Sequence, residues 1–128
     1  MLKSKIHRAR VTDADVDYEG SLTLDSELLR AADVVANEEV HVWNVTRGTR
    51  LRTYAMEGTA GSGVVCVNGA AAHLAKPGDL VIIATFTLLE ENQVREHRPK
   101  VILVDQNNRM RTGPAEEVPG PDRRQQQR

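Results

Sequence analysis

Residues 31–42 read Ala-Ala-Asp-Val-Val-Ala-Asn-Glu-Glu-Val-His-Val, and residues 71–82 read Ala-Ala-His-Leu-Ala-Lys-Pro-Gly-Asp-Leu-Val-Ile. Each stretch is typical of a short helix, a turn, an acidic residue and a strand, and the two match at a constant offset of 40 residues. Each half is too small to bury its own apolar faces. The repeat therefore predicts a closed, pseudo-twofold β-barrel, although it does not by itself specify the topology.

The residues around the first copy extend it into a hairpin. Residues 40–45 alternate as a strand, residues 46–49 turn the chain, and residues 50–56 return antiparallel. Further strands are predicted at residues 5–12, 22–24, 64–67, 79–88 and 100–105. The chain is therefore expected to be mainly β.

One short helix is expected after the strand at residues 22–24. Asp25 or Ser26 can cap it, and it should continue to about Ala32. Its apolar side carries Leu28 and Leu29, which are expected to be buried.

Two turns matter for the candidate site. The polar run at residues 12–17 predicts a turn that leads into residues 18–21. Asn68-Gly69 is a strong turn signal and opens a short helical segment at residues 70–75.

Length and composition predict one domain. The chain has 128 residues, of which 40% are hydrophobic but only 3% aromatic, so an aliphatic core is expected to be supplemented by burial between subunits. A formal charge of −1 offers no footprint for nucleic acid or an anionic membrane. Residues 1–112 form the predicted domain. Residues 113–128 have almost no core formers and are predicted to be disordered.

Cysteine usage and the N-terminus predict a cytoplasmic protein. The single cysteine, Cys66, lies in the apolar run at residues 64–67, which predicts a buried and unreactive thiol. The N-terminus is charged from Lys3 onward and lacks an apolar signal core. No stretch reaches the roughly 18 apolar residues of a membrane span.

The pair Gly20-Ser21 carries the chemical hypothesis. A serine after a glycine can turn its hydroxyl onto the preceding carbonyl carbon and exchange the amide for an ester, because glycine has no Cβ in the way. Elimination and hydrolysis then leave a pyruvoyl ketone at residue 21. The pair alone proves little, since it recurs as Gly61-Ser62 and both residues are common in turns.

Five motifs in order give the pair its context: Lys-Ile-His-Arg-Ala at 5–9, Tyr-Glu-Gly-Ser at 18–21, Trp-Asn-Val-Thr at 43–46, Arg-Leu-Arg-Thr-Tyr-Ala at 50–55 and Val-Asn-Gly-Ala-Ala-Ala-His at 67–73. Together they resemble the pyruvoyl-dependent aspartate 1-decarboxylases of bacterial pantothenate synthesis. The resemblance covers about residues 1–112. It implies a six-stranded double-psi β-barrel with short helices, a homotetramer with shared sites, and cleavage into a β chain, residues 1–20, and an α chain, residues 21–128.

The implied reaction converts L-aspartate into β-alanine and carbon dioxide. Loss of carbon dioxide leaves a carbanion at Cα, and a Schiff base between the substrate amine and the ketone at residue 21 can accept its electrons, as pyridoxal phosphate does elsewhere. A cofactor made from Ser21 needs no phosphate-binding motif, and none is present. His41, His73 and His97 have no ligand spacing, so no metal is assigned. No pyridoxal phosphate is assigned either, because the group made from Ser21 takes its role.

Cations are needed for the substrate carboxylates. Arg50 is the first candidate and Lys5 the second, because a guanidinium binds a carboxylate through two parallel hydrogen bonds. The alternative for Arg50 is an ordinary solvated strand face. The resemblance also places Thr53 and Tyr54 in the site. Strand alternation separates their faces, so either the strand bulges or Thr53 serves the processing loop from the other side.

The remaining site residues follow from the resemblance. Tyr54 is the candidate proton donor to Cα, with a core tyrosine as the alternative. Tyr18 and Thr53 are assigned to processing. Asn68, Gly69, Ala70 and Ala71 offer an amide and backbone N–H groups for an anion, with a plain turn and helix start as the alternative.

Two other functions stay open at this point. After simple hydrolysis Ser21 could act as an N-terminal nucleophile in a self-processing hydrolase. The barrel could also be a non-catalytic binding module, because a fold does not fix a function.

Overall fold

The computed structural model describes residues 1–19, 21–111 and 116–121. The strands are β1 Leu2–Arg10, β2 Asp13–Asp15, β3 Ser21–Asp25, β4 Glu39–Asn44, β5 Arg50–Gly58, β6 Val65–Asn68, β7 Leu80–Phe86 and β8 Lys100–Leu103. One α-helix, α1, spans Ser26–Ala31, and short 3₁₀ helices span Gly69–His73 and Glu91–Gln93. The prediction of a mainly β chain is confirmed.

The sheet order is β2-β6-β3-β5-β4-β7-β1-β8, and the sheet closes on itself through β1 and β2. β1 continues past its end, where Val11 N donates to Asp79 O at 2.9 Å and Thr12 N donates to Val65 O at 2.8 Å. The segment β1–β2 therefore leaves β7 and joins β6. Counted as one bent strand, it forms a closed ring of six with β3 to β7, while β8 adds to the outside of β1. The predicted six-stranded barrel is confirmed.

The two halves of the barrel follow the same plan. The segment β1–β2 pairs antiparallel with β7 and then parallel with β6. β5 likewise pairs antiparallel with β4 and then parallel with β3. Each long strand thus pairs first with an antiparallel neighbour and then with a parallel one, and this shared plan agrees with the pseudo-twofold barrel that the repeat predicted.

The offset between the two copies of the repeat is one residue larger for the strands than for the helices. Ala32 and Ala72 are both buried, as the predicted offset of 40 requires. In the strands, however, the inward residues are Val40 in β4 and Val81 in β7. The second copy therefore contains one extra residue between its helix and its strand, which keeps the apolar face of β7 toward the core.

Aliphatic side chains from every wall fill the barrel. The largest fully buried side chains are Ile6, Leu22, Leu24, Leu28, Leu29, Ile83, Val11, Val40, Val42, Val65, Val67 and Val81. Burying one such side chain contributes roughly 1.5–3 kcal/mol. Helix α1 covers one end of the barrel through Leu28 and Leu29, and Asp25 caps it, so its predicted cap and buried side are confirmed.

The predicted turn at residues 12–17 is wrong in its first half. Residues 13–15 form β2, which pairs in parallel with β6, and the turn follows afterwards. The Thr12 hydroxyl helps to hold this segment, since it donates to Val65 O at 3.1 Å and accepts from Val65 N at 3.0 Å. An acidic run can form this strand because its backbone pairs while its side chains remain partly or fully exposed.

Part of the predicted disordered tail, residues 113–128, falls outside the described residues. Residues 116–121 are described and contain neither helix nor strand. The disorder of this tail stays a prediction.

Candidate active site

Ser21 is the first residue of β3 and is almost completely buried, with 1% of its surface exposed. Its Oγ makes no hydrogen bond to any described residue. Buried hydroxyl groups nearly always have a hydrogen-bond partner, so a buried hydroxyl without one indicates a candidate functional residue. Ser21 lines a cavity of about 360 Å³. Gly20 lies outside the described residues.

The cavity around Ser21 joins β3, β5, β6 and the following 3₁₀ helix. Its lining residues are Ser21, Leu51, Arg52, Thr53, Tyr54, Asn68, Ala70, Ala71 and Leu74. The fold thus brings together six residues that the sequence singled out: Ser21, Thr53, Tyr54, Asn68, Ala70 and Ala71. Leu51, Arg52 and Leu74 were not predicted. Leu51 and Arg52 belong to the same Arg-Leu-Arg-Thr-Tyr motif as Arg50, so this motif could have indicated them.

Thr53 and Tyr54 both reach the cavity without a strand bulge. The pairing of β5 with β4 runs in unbroken register from Trp43–Arg50 to Glu39–Tyr54. The next residue of β5, Ala55, already pairs with β3. Thr53 and Tyr54 therefore lie where β5 passes from one neighbour to the other. This crossover lets residues from both faces line the same cavity.

Asn68 ends β6 directly opposite Ser21 in the antiparallel ladder with β3. It is largely buried, and its Oδ1 accepts a hydrogen bond from Cys66 Sγ at 3.1 Å. Gly69 follows with a φ of 66°, a left-handed conformation that glycine adopts without strain. Gly69 is buried and does not line the cavity, so of the predicted turn residues Asn68, Ala70 and Ala71 form its wall.

Arg50 does not line the Ser21 cavity. Its guanidinium lies over the ring of Trp43, 5.2 Å from the centroid. A second cavity of about 360 Å³ contains both residues and is lined by His41, Trp43, Arg50, Leu51, Arg52 and Phe86. Leu51 and Arg52 line both cavities, so the two are neighbours along β5.

Lys5 and Tyr18 also lie apart from the Ser21 cavity. Lys5 Nζ is 2.5 Å from Glu117 Oε1, in an ion pair between β1 and the C-terminal segment. Tyr18 is 64% exposed. His7 follows Lys5 on the same side of β1, and burial together with Lys5 and Arg8 lowers the pKa of its imidazole.

Cys66 lies in β6 and is half-buried rather than fully buried. Burial and the neighbouring charge of Asp13 raise the pKa of its thiol. The thiol is therefore protonated near neutral pH, which agrees with the unreactive thiol predicted.

The described residues contain no group of three or more His, Cys, Asp or Glu side chains arranged to hold a metal ion. Among the same residues, no helix is both long and apolar enough to cross a membrane.

Comparison with solved structures identifies the barrel type. The chain is similar to the computationally designed msDPBB_sym2 protein, a double-psi β-barrel, with a TM-score of 0.53 and 24% identity, over 65% of this chain and 100% of that one. This likeness concerns the fold alone.

Sequence comparison identifies the family. The sequence model for aspartate decarboxylase matches residues 1–111. The chain is 64% identical to the aspartate 1-decarboxylase of Myxococcus xanthus over 124 residues, which cover 97% of this chain and 95% of that one. It is 60% identical to the enzyme of the same name from Legionella pneumophila strain Lens over 111 residues, covering 87% and 84%. The chain belongs to the aspartate decarboxylase family.

Proposed function

We propose that the chain cleaves itself between residues 20 and 21 and uses a pyruvoyl group at residue 21 to convert L-aspartate into β-alanine. Aspartate decarboxylation for pantothenate synthesis follows from family membership over residues 1–111, and it makes the chain a carboxy-lyase. The observation that carries the choice of residue is the buried Ser21 Oγ, which lies in a cavity and has no hydrogen-bond partner among the described residues. A cytoplasmic setting is part of the proposal.

The processing steps balance without any further reagent than water. Ser21 Oγ bonds to the carbonyl carbon of residue 20, the C–N bond breaks, and the hydroxyl proton passes to the released amine. Elimination then removes the Cα proton of residue 21 and breaks its Cβ–O bond, and this proton and the released carboxylate together make up the new carboxyl terminus at residue 20. Hydrolysis of the resulting enamine releases ammonia and leaves the ketone. The sum is one water consumed and one ammonia released.

The residues around Ser21 suit a small ketone at that position. Such a ketone, when present, supplies an electrophile that condenses with an amine and accepts the electrons left at Cα. Ala70 and Ala71 contribute small side chains to the wall, which leaves the cavity to the substrate. The Ser21 hydroxyl gives up no hydrogen bond to a described residue when it reacts.

Three polar side chains share this cavity with residue 21. We assign the proton delivered to Cα to the Tyr54 phenol, which lines the cavity and is 42% exposed. Thr53 and Asn68 lie on β5 and β6, the two strands that pair with β3. We assign Thr53 to processing and to substrate binding, and Asn68 to substrate binding. Asn68 is the nearest of the three in the ladder, since it pairs directly with Ser21.

We propose that the cations for the substrate carboxylates come from a second copy of the chain. Arg50 and Lys5 lie outside the Ser21 cavity of their own chain. Both belong to the outer surface of the sheet β5-β4-β7-β1, where Trp43 pairs with Arg50 and Lys5 pairs with Ala84. This surface also exposes Phe86, 46% of which is accessible. Docking it against the Ser21 cavity of a neighbour would bury apolar surface and complete the site, in a homotetramer.

Intact-mass measurement tests the proposed chemistry. Incubated protein should separate into residues 1–20 and a chain from residue 21 that is lighter by one ammonia than the same chain with a serine terminus. A serine terminus would instead indicate an N-terminal-nucleophile hydrolase, and an uncleaved chain a binding module. Light scattering that showed an active monomer would exclude the shared site.

A further inference from the structure

The thiol of Cys66 contacts one residue of the Ser21 cavity. Its Sγ lies 3.1 Å from Asn68 Oδ1 and donates a hydrogen bond to it. The two side chains project from the same side of β6 because they are two residues apart. Val65 and Val67, on the opposite side, are completely buried in the core. The position of Cys66 is thereby fixed relative to the barrel.

This hydrogen bond determines the orientation of the Asn68 amide. With Oδ1 turned toward Cys66, the Nδ2 group points away from it and carries two N–H donors. No described residue accepts a hydrogen bond from Nδ2. Asn68 lines the cavity and pairs directly with Ser21, whose Oγ also has no partner among the described residues. Two polar groups without a described partner therefore lie on neighbouring strands at the same site.

We infer that Cys66 is a positioning residue, which holds the Asn68 amide so that its N–H groups face the Ser21 end of the cavity. When Ser21 attacks the carbonyl of residue 20, negative charge develops on that carbonyl oxygen. A donor already aimed at this region stabilises the charge without having to reorient. The inference rests on the proposed function, because it concerns the self-cleavage step.

A thiol can do this only while it carries its proton. Burial and the charge of Asp13 raise the pKa of Cys66, so the donor is retained near neutral pH. Thr23 on β3 and Asp13 on β2 are its direct neighbours in the sheet, and Asp15 lies two pairs further along β2, directly opposite Asn68. Their backbone pairing holds β6 on both sides, which leaves the side-chain bond to orient the amide.

The test compares three replacements of Cys66 in the full-length chain. Cys66→Ser keeps a donor, whereas Cys66→Ala and Cys66→Val remove it in a smaller and a similarly sized side chain. The rate of cleavage at residue 21 is followed by intact mass. The cleavage rate should fall by roughly 3- to 10-fold in the Ala and Val variants, because this is the effect of losing one neutral hydrogen bond. In the Ser variant the rate should stay within about twofold of the parent rate.

The outcomes separate positioning from packing. Equal cleavage rates in all four proteins, or a Ser variant as slow as the Val variant, would overturn the inference. Thermal unfolding of each variant shows whether it folds, and the Ala variant serves if the Val variant does not. If the parent cleaves and decarboxylates and the variants cleave at the same rate, the proposed function stands and only the role of Cys66 is wrong. If the parent does not cleave at all, the proposed function fails and the inference falls with it.

Discussion

The ammonium group of Lys5 lies 2.5 Å from a carboxylate oxygen of Glu117. The pair joins β1 to a segment 112 residues further along the chain. The Lys5 side chain is 15% exposed and that of Glu117 50%. Glu117 thus forms an ion pair with Lys5, the cation that we assign to a substrate carboxylate. The Glu117 carboxylate and the substrate carboxylate must therefore compete for the Lys5 ammonium group.

Replacement of Glu117 should therefore strengthen substrate binding. Glu117→Gln removes the competing charge, and the KM for aspartate should fall by up to about fivefold, the upper range for exposed ion pairs, while kcat stays the same. Initial rates of fully processed enzyme measure both. Glu96→Gln, the same change at another exposed carboxylate, is the control and should leave KM unchanged. A Glu117→Gln enzyme with the parent KM would show that the ion pair does not oppose the substrate.

Self-cleavage should depend on one of two Gly-Ser pairs. Ser21→Ala removes the nucleophile and should remain one full-length chain on a denaturing gel. Ser62→Ala is the matched control, because Ser62 Oγ is exposed and already donates to Thr59 O at 2.6 Å. It should cleave like the parent. Cleavage that persisted in Ser21→Ala would remove Ser21 from the mechanism.

The fold was predictable because its signals are periodic. Alternating strands and the repeat each imply an apolar face, and Val40 and Val42 occupy the face predicted for them. The strand at residues 13–15 could not be found in this way. It has almost no apolar side chains, and only its backbone pairing with β6 makes it a strand.

The candidate site was predictable in composition and less so in arrangement. The resemblance supplied Ser21 and Tyr54, and the fold places both in one cavity. It could not show that Arg50 lies in the adjoining cavity, because that depends on where β5 changes partners. The pairing of Lys5 with Glu117 also escaped prediction, since no local pattern connects residues so far apart.

Stability toward acid should depend on Asp25. Burial would raise the pKa of this carboxyl, but hydrogen bonds from the backbone N–H groups of Gly63, Glu27 and Gly61 outweigh it, and the pKa is lowered from the usual 3.8. The carboxylate therefore contributes stability that is present above about pH 4 and lost as the pH falls through the lowered value.

Asp25→Asn should remove this dependence. The variant should lose about 1–3 kcal/mol of unfolding free energy at neutral pH, because the Gly63 N–H would face an amide donor. Its deficit should shrink as the pH falls through the lowered pKa of Asp25, below which the parent is also neutral at this site. Urea unfolding at several pH values measures the difference, and Asp33→Asn is the exposed control. A deficit that stayed constant with pH would contradict the assignment.

Arg50 should act in binding. Arg50→Ala should raise the KM for aspartate steeply, since losing a buried charged hydrogen bond costs about 2–5 kcal/mol. The variant should also discriminate less between aspartate and amino acids without a second carboxylate. An unchanged KM in fully processed enzyme would exclude Arg50 from the substrate site.

A mixture of two defective chains tests whether Arg50 and Ser21 come from different copies. In mixed oligomers of Arg50→Ala and Ser21→Ala, one kind of site combines the intact Ser21 of one chain with the intact Arg50 of the other. Co-expressed chains should therefore show more activity than the sum of the two separate variants. If each site lay within one chain, every site would carry a defect and the mixture would show no more activity than that sum.

Tyr54 should act in the chemical step and not in processing or binding. Tyr54→Phe keeps the ring that lines the cavity and removes only the hydroxyl, so it should still cleave at residue 21 and bind aspartate. Its kcat should fall by roughly 10²-fold or more, the usual scale for a general acid, with KM little changed. Intact mass must first show full conversion at residue 21, because an uncleaved chain would mimic the same loss. A fully converted Tyr54→Phe enzyme with the parent kcat would show that another group delivers the proton to Cα.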